Sequence, residues 1–188
     1  MSTPLVVSVY GSARPRPDHP LYLQAEHLGR LLGEAGCTLM TGGYGGVMEA
    51  ASKGAKQAGA HVIGVTVGLF ERSGRRSGPN PYVDEVIRYD SLSERLLHVV
   101  TRSDAAIALA GGIGTLSEVA LTWSLIQVGE IKPKPFILLG REWDELFTLY
   151  RGDGAFITEE EMKLWRLALT PEEAVTQIRN WWQRGQGV

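Results

Sequence analysis

Short apolar runs alternate with stretches of helical spacing along most of the chain. Leu5 to Tyr10 (LVVSVY) is the first run, and its length and β-branched content predict a strand. After a proline-rich loop, Leu21, Ala25, Leu28, Leu32 and Ala35 recur every three or four positions and predict a helix closed by Gly36. Cys37 to Thr41 reads as a second strand, and a helix of small residues from Val47 to Ala58 ends at Gly59. Further strands are predicted at His61 to Val67, Val83 to Tyr89, Asp104 to Leu109 and Pro135 to Leu139. Helices are predicted at Leu92 to Arg102 and from Thr115 to about Val128. Gly68 to Pro81 reads as a loop. The stretch from Leu139 to Val188 reads as helical, with Thr170-Pro171-Glu172-Glu173 as a helix start.

Strand and helix in alternation is the signature of βαβ units, and so of an α/β domain with a parallel sheet. Length sharpens this: 188 residues suffice for one cored domain, and no repeat or linker divides residues 1–188. A formal charge of −2 provides no basic field to draw in nucleic acid or an anionic membrane. With one cysteine, Cys37, neither an intrachain disulfide nor a thiolate zinc cage can form. His19, His27, His61 and His98 have no metal-binding spacing, so no metal site is expected. The first residues lack both a basic leader and a long apolar stretch, and the expected compartment is the cytoplasm.

The candidate chemistry lies where predicted strands run into glycine. Gly11-Ser12 follows the first strand, Gly42 to Gly46 (GGYGG) the second, and Gly111-Gly112-Ile113-Gly114-Thr115 the fifth. In an open parallel sheet ligands collect at such strand ends. Glycine lets a phosphate approach the backbone, and the following helix points unpaired N–H groups at the anion. Neither double-glycine loop spells G-x-G-x-x-G, and no G-x-x-x-x-G-K-[ST] occurs, which disfavours dinucleotide hydride transfer and P-loop hydrolysis. Glu118 admits two readings. Thr115-Leu116-Ser117-Glu118 fits a capping box, yet a carboxylate one turn from the phosphate amides would also reach a ribose. Arg95 flanks the apolar stripe of its helix, and the arginines of the loop, Arg72, Arg75 and Arg76, read as solvated or ordered by an anion.

The stretch Gly111-Gly112-Ile113-Gly114-Thr115-Leu116-Ser117-Glu118 resembles the PGGxGTxxE motif of the LOG ("lonely guy") family of cytokinin-activating proteins, once labelled possible lysine decarboxylases. The likeness extends from about Val6 to Leu139 and includes VYGSAR at Val9 to Arg14 and GGYGGVMEAASKGA from Gly42 to Ala55. Arg95 stands at the arginine of the family's M-H-x-R-K segment. The resemblance implies a Rossmann-like, three-layer fold with six or seven parallel strands and helices on both faces, assembled as a homodimer. It also implies hydrolysis of the N-glycosidic bond of a nucleoside 5′-monophosphate to free base and ribose 5-phosphate. By position, Gly11, Ser12, Gly42, Gly43 and Gly111 to Thr115 would bind the nucleotide, with Glu118 and Arg95 as the catalytic pair. The motif's proline is Ala110 here, and Leu92, Ser93 and Leu96 replace the M, H and K around Arg95. The central segments also resemble a neighbouring branch of molybdenum-cofactor carrier-like proteins, so a non-catalytic carrier of a phosphorylated ligand is the alternative. A pyridoxal-phosphate decarboxylase is disfavoured, because no lysine sits in a Schiff-base context.

The helix after Thr115 carries Leu116, Val119, Ala120, Leu121, Trp123, Leu125 and Ile126, apolar on more than one side. Such a helix is expected to bury its extra surface under the C-terminal helices or against another subunit, and the favoured reading is a two-fold homodimer with Trp123 in the contact.

Overall fold

A computed structural model describes residues 3–74, 78–151 and 156–185. Its elements alternate as the pattern predicts. They are β1 (Val6–Tyr10), α1 (Pro20–Glu34), β2 (Thr38–Thr41), α2 (Val47–Gln57), β3 (Val62–Val67), α3 (Gly68–Arg72), β4 (Glu85–Tyr89) and α4 (Leu92–Thr101). There follow β5 (Ala105–Ala108), α5 (Ile113–Gln127), β6 (Phe136–Leu139), α6 (Arg141–Thr148), α7 (Glu159–Met162), β7 (Arg166–Ala168) and α8 (Pro171–Gly185). The strands form one sheet in the order β4-β3-β2-β1-β5-β6-β7, and every adjacent pair is parallel. This is the expected Rossmann-like architecture with both faces covered.

Alternation along the strands builds two cores. Val7, Val9, Leu39, Val62 and Ile107 face α1, α2 and α8. Tyr10, Met40, Val65, Ala106 and Leu138 face α4, α5 and the segment from α6 to Trp165. On the first face α1 and α2 pack backbone to backbone: a Cβ on Gly54 would lie 1.9 Å from the Glu26 carbonyl oxygen. Only glycine permits that approach, and it draws α2 tightly against the layer that aims the β2–α2 loop.

Three expectations change. The span Gly68 to Pro81 is not all loop, because β3 passes directly into α3, whose Arg72 pairs with Asp90 at 3.2 Å; Arg75 and Arg76 lie outside the described residues. The C-terminal region is not all helical, because Arg166–Ala168 adds an edge strand beside β6. Trp123 is buried within its own chain rather than offered to a second one. Its ring meets Phe147 edge-on at 5.0 Å and Trp165 at 6.0 Å, and its Nε1 donates to the Glu161 carbonyl at 3.0 Å. The apolar surplus of α5 is therefore covered largely by α6 and the residues up to Trp165. Its exposed side is left with small or polar Ser117, Ala120, Ser124 and Gln127, flanked by Ile113 and Val128. Among the described residues no helix is long and apolar enough to cross a membrane.

Candidate active site

β1 and β5 lie side by side, and the chain leaves them in opposite directions, through α1 toward β2 and through α5 toward β6. Their carboxyl ends therefore open a crevice at the point where strand order reverses. The loops that close it are bonded to one another. The Ser12 amide donates to the Ala110 carbonyl at 3.1 Å, and the Val47 amide donates to the Ser12 carbonyl at 2.8 Å. Gly46 makes the second contact possible: its φ is +68°, and a Cβ there would fall 2.4 Å from the Ser12 carbonyl oxygen.

The resulting cleft measures about 710 Å³. One wall is the loop from Ala110 to Thr115 with Gly11 and Ser12, and the other is apolar, formed by Tyr44, Met48, Phe70, Leu92 and Leu96. α5 begins earlier than its pattern suggests, with Gly112 as N-cap, no side-chain cap and no acidic residue in the first turn. Its first intrahelical bond runs from the Leu116 amide to the Gly112 carbonyl at 3.0 Å. The amides of Ile113, Gly114 and Thr115 thus precede the hydrogen-bonded helix and border the cleft, an arrangement suited to an anion. Gly112 has a φ of −92°, and a Cβ on it or on Gly114 would meet nothing within 4 Å. Neither backbone geometry nor packing within the chain requires glycine at these two positions. Gly111 differs, because a Cβ there would strike the Thr115 hydroxyl at 2.1 Å.

Glu118 lies one turn further along α5. Because the cap falls at Gly112, Thr115 and Glu118 cannot form a capping box; the carboxylate turns inward. Its Oε1 accepts from Arg95 Nη1 at 2.6 Å, with both side chains 9% exposed. Arg95 Nε donates to the Val65 carbonyl at 3.1 Å, which locks the guanidinium against the end of β3. No described residue donates a hydrogen bond to Glu118 Oε2. Burial pushes the Glu118 carboxyl above its ordinary value, and Arg95 pulls it back toward the ionised form. Beneath the pair, Tyr10 is fully buried with its hydroxyl 3.3 Å from Thr122 Oγ1, and burial raises its pKa.

The predicted site residues fall into two groups. Arg95, Glu118, Gly11, Ser12, Gly111, Gly112, Ile113, Gly114 and Thr115 all line the cleft. Gly42 and Gly43 are buried behind it. A Cβ on Gly42 would sit 1.9 Å from Arg95 Nη2, so this glycine makes room for the arginine. Gly43, at φ +77°, presents its carbonyl to the Asn80 side chain, which also bonds the Tyr44 carbonyl at 3.1 Å. Sequence reasoning missed Asn80, and only its Asn-Pro context marks it as a turn former. It also missed Phe70, which α3 carries to the apolar wall, 6.0 Å from the Tyr44 ring.

Comparison with known proteins places this geometry. A protein of Archaeoglobus fulgidus described only as uncharacterized is 37% identical over 124 residues, 65% of this chain and 78% of that one. The cytokinin riboside 5′-monophosphate phosphoribohydrolase of Mycobacterium tuberculosis is 31% identical over 133 residues, 71% of this chain and 69% of the enzyme. Among solved structures, the molybdenum cofactor binding protein of Rippkaea orientalis superimposes with a TM-score of 0.72 at 30% identity, covering 96% of this chain and 98% of that one. The model of the SLOG cluster4 family matches residues 4–163, and the chain belongs to that family of LOG-type proteins.

Proposed function

We propose that the chain hydrolyses the N-glycosidic bond of a nucleoside 5′-monophosphate. The carrying observation is the buried Glu118–Arg95 pair one helical turn from the uncapped amides of Ile113 to Thr115. With a 5′-phosphate on those amides, the ribose lies beside Glu118 and the base along Tyr44, Phe70 and Leu96. Departure of the base leaves positive charge spread over C1′ and the ring oxygen. A carboxylate held ionised by Arg95 stabilises that charge and accepts a proton from the attacking water. The C1′–N bond breaks, the water oxygen bonds to C1′, and the proton taken up by Glu118 passes to the departing base nitrogen, giving free base and ribose 5-phosphate. Arg95 fixes the carboxylate's position and charge. No metal or redox cofactor is required by this chemistry.

A second reading, carriage of a phosphorylated ligand without cleavage, is favoured by the nearly full-length likeness to a molybdenum cofactor binding protein and by Ala110 and Leu96 at motif positions. Purified protein incubated with AMP and N6-substituted AMPs separates the two: free base supports hydrolysis, and binding without release supports carriage. A homodimer and a cytoplasmic location belong to the same proposal.

A further inference from the structure

The cleft does not end at the glycine loop. A second depression of about 520 Å³ adjoins it and shares Ser12, Arg14 and Leu21 with it. The join lies on the phosphate side, since Ser12 is the residue whose amide bonds the Ala110 carbonyl, just before Gly111. The new depression is formed by the β1–α1 connection and also presents Arg16, Asp18 and His19.

Its charges are uncommitted. Arg95 and Glu118 in the main cleft neutralise each other, and among the described residues neither guanidinium of Arg14 and Arg16 makes an ion pair or hydrogen bond. Among the described residues Asp18 is the one carboxylate lining the depression, against two arginines, and it too forms no ion pair with any of them. His19 Nδ1 is occupied by the Leu21 amide at 3.1 Å. Two guanidiniums beside a phosphate cradle, with one opposing carboxylate, form a local positive field in a chain whose formal charge is −2.

We infer that this depression takes a second phosphoryl group of the same ligand, so that the favoured ligand is a pyrophosphate-linked nucleotide, with Arg14 and Arg16 on the distal phosphate. This rests on reading the main cleft as a nucleotide site and widens its ligand class beyond the monophosphate. Charge-assisted hydrogen bonds from two exposed arginines, discounted for screening, should favour the distal phosphate by about tenfold.

The test is isothermal titration of AMP, ADP and ADP-ribose against Glu118→Gln protein, in which turnover is suppressed, and against the same protein carrying Arg14→Ala or Arg16→Ala. ADP and ADP-ribose should bind about tenfold more tightly than AMP, with the advantage shrinking as salt rises. Arg16→Ala, which lies outside the main cleft, should reduce that advantage to about twofold and leave AMP affinity in place. AMP binding as tightly as the diphosphates, or a preference that survives both arginine variants, overturns the inference and leaves the nucleotide site standing. Failure of all three ligands to bind overturns the nucleotide reading and this inference with it.

Discussion

Two glycines with opposite surroundings illustrate what single residues do at and behind this cleft. Gly112 borders open space with ordinary dihedrals, whereas Gly42 is pressed against Arg95 Nη2. Gly112→Val should therefore leave the melting temperature within about 2 °C of the parent, because surface changes without packing cost are small. It should nonetheless abolish AMP binding by placing a branched side chain over the amides. Gly42→Ala should do the reverse: AMP still binds, but Arg95 is displaced and catalysis falls. Calorimetric titration beside a melting curve reads both, and a Gly112→Val protein with full AMP affinity would mean the loop is only a turn. Arg95→Ala carries a different cost, because it strands Glu118 as a buried carboxylate without a partner. Denaturant unfolding should report a loss of about 3–5 kcal/mol, well beyond that of Glu118→Gln, which leaves a neutral amide facing the guanidinium. The motif marked Gly111 to Thr115 and Glu118 in sequence as candidates, and the fold brings them to one cleft. It could not reveal that Gly42 serves Arg95, since that contact joins residues more than fifty positions apart and depends on how α4 lies over β2 and β3.

At the scale of elements, legibility followed length and periodicity. The long helices and the apolar strands were readable because each carries its own pattern of 3.6 or of 2. β7 was not, since three residues, Arg-Leu-Ala, hold no period and become a strand through pairing with β6. α3 was hidden because it starts directly after β3 at Val67, with no capping side chain. One anchoring device is also invisible locally. Lys134, ahead of β6, donates from its amine to the carbonyls of Val100 and Ser103 and to the Ser103 hydroxyl at 2.6, 3.0 and 2.9 Å, tying down the end of α4. Burial pushes this amine down from its ordinary 10.5 to about 8. The folded chain therefore releases the proton near pH 8 while the unfolded chain keeps it to about 10.5, so the unfolded state holds more protons in between and stability rises with pH. The buried Cys37 thiol, raised by burial, works in the opposite direction above its ordinary 9.0. The rise is thus expected between about pH 8 and 9, where unfolding of wild type and Lys134→Met should be compared. A Lys134→Met protein showing the same rise would remove Lys134 as its source.

For the molecule as a whole, strand order decides where the chemistry can be. The reversal between β1 and β5 brings loops about a hundred residues apart onto one cleft, and alternating βα units made that architecture legible without revealing the order. The assembly is a separate matter. With Trp123 engaged inside the chain, a dimer built on α5 would use its small-residue side with Ile113 and Val128 at the ends. Light scattering at micromolar concentration should give twice the 20.5 kDa chain mass, and Ala120→Arg should return it to one chain by placing a charge in that contact. A monomer mass for the parent protein would contradict the dimer. The cleft would still stand, because every residue of it described above comes from one chain. The most direct measurement of all is release of free base from AMP by the parent protein and by Glu118→Gln, with AMP affinity measured on both. Hydrolysis at Glu118 requires base and ribose 5-phosphate from the parent, a loss of at least about a hundredfold in the variant, and affinities within about threefold of each other. AMP bound by the parent with no base released, or base released equally by Glu118→Gln, would contradict it.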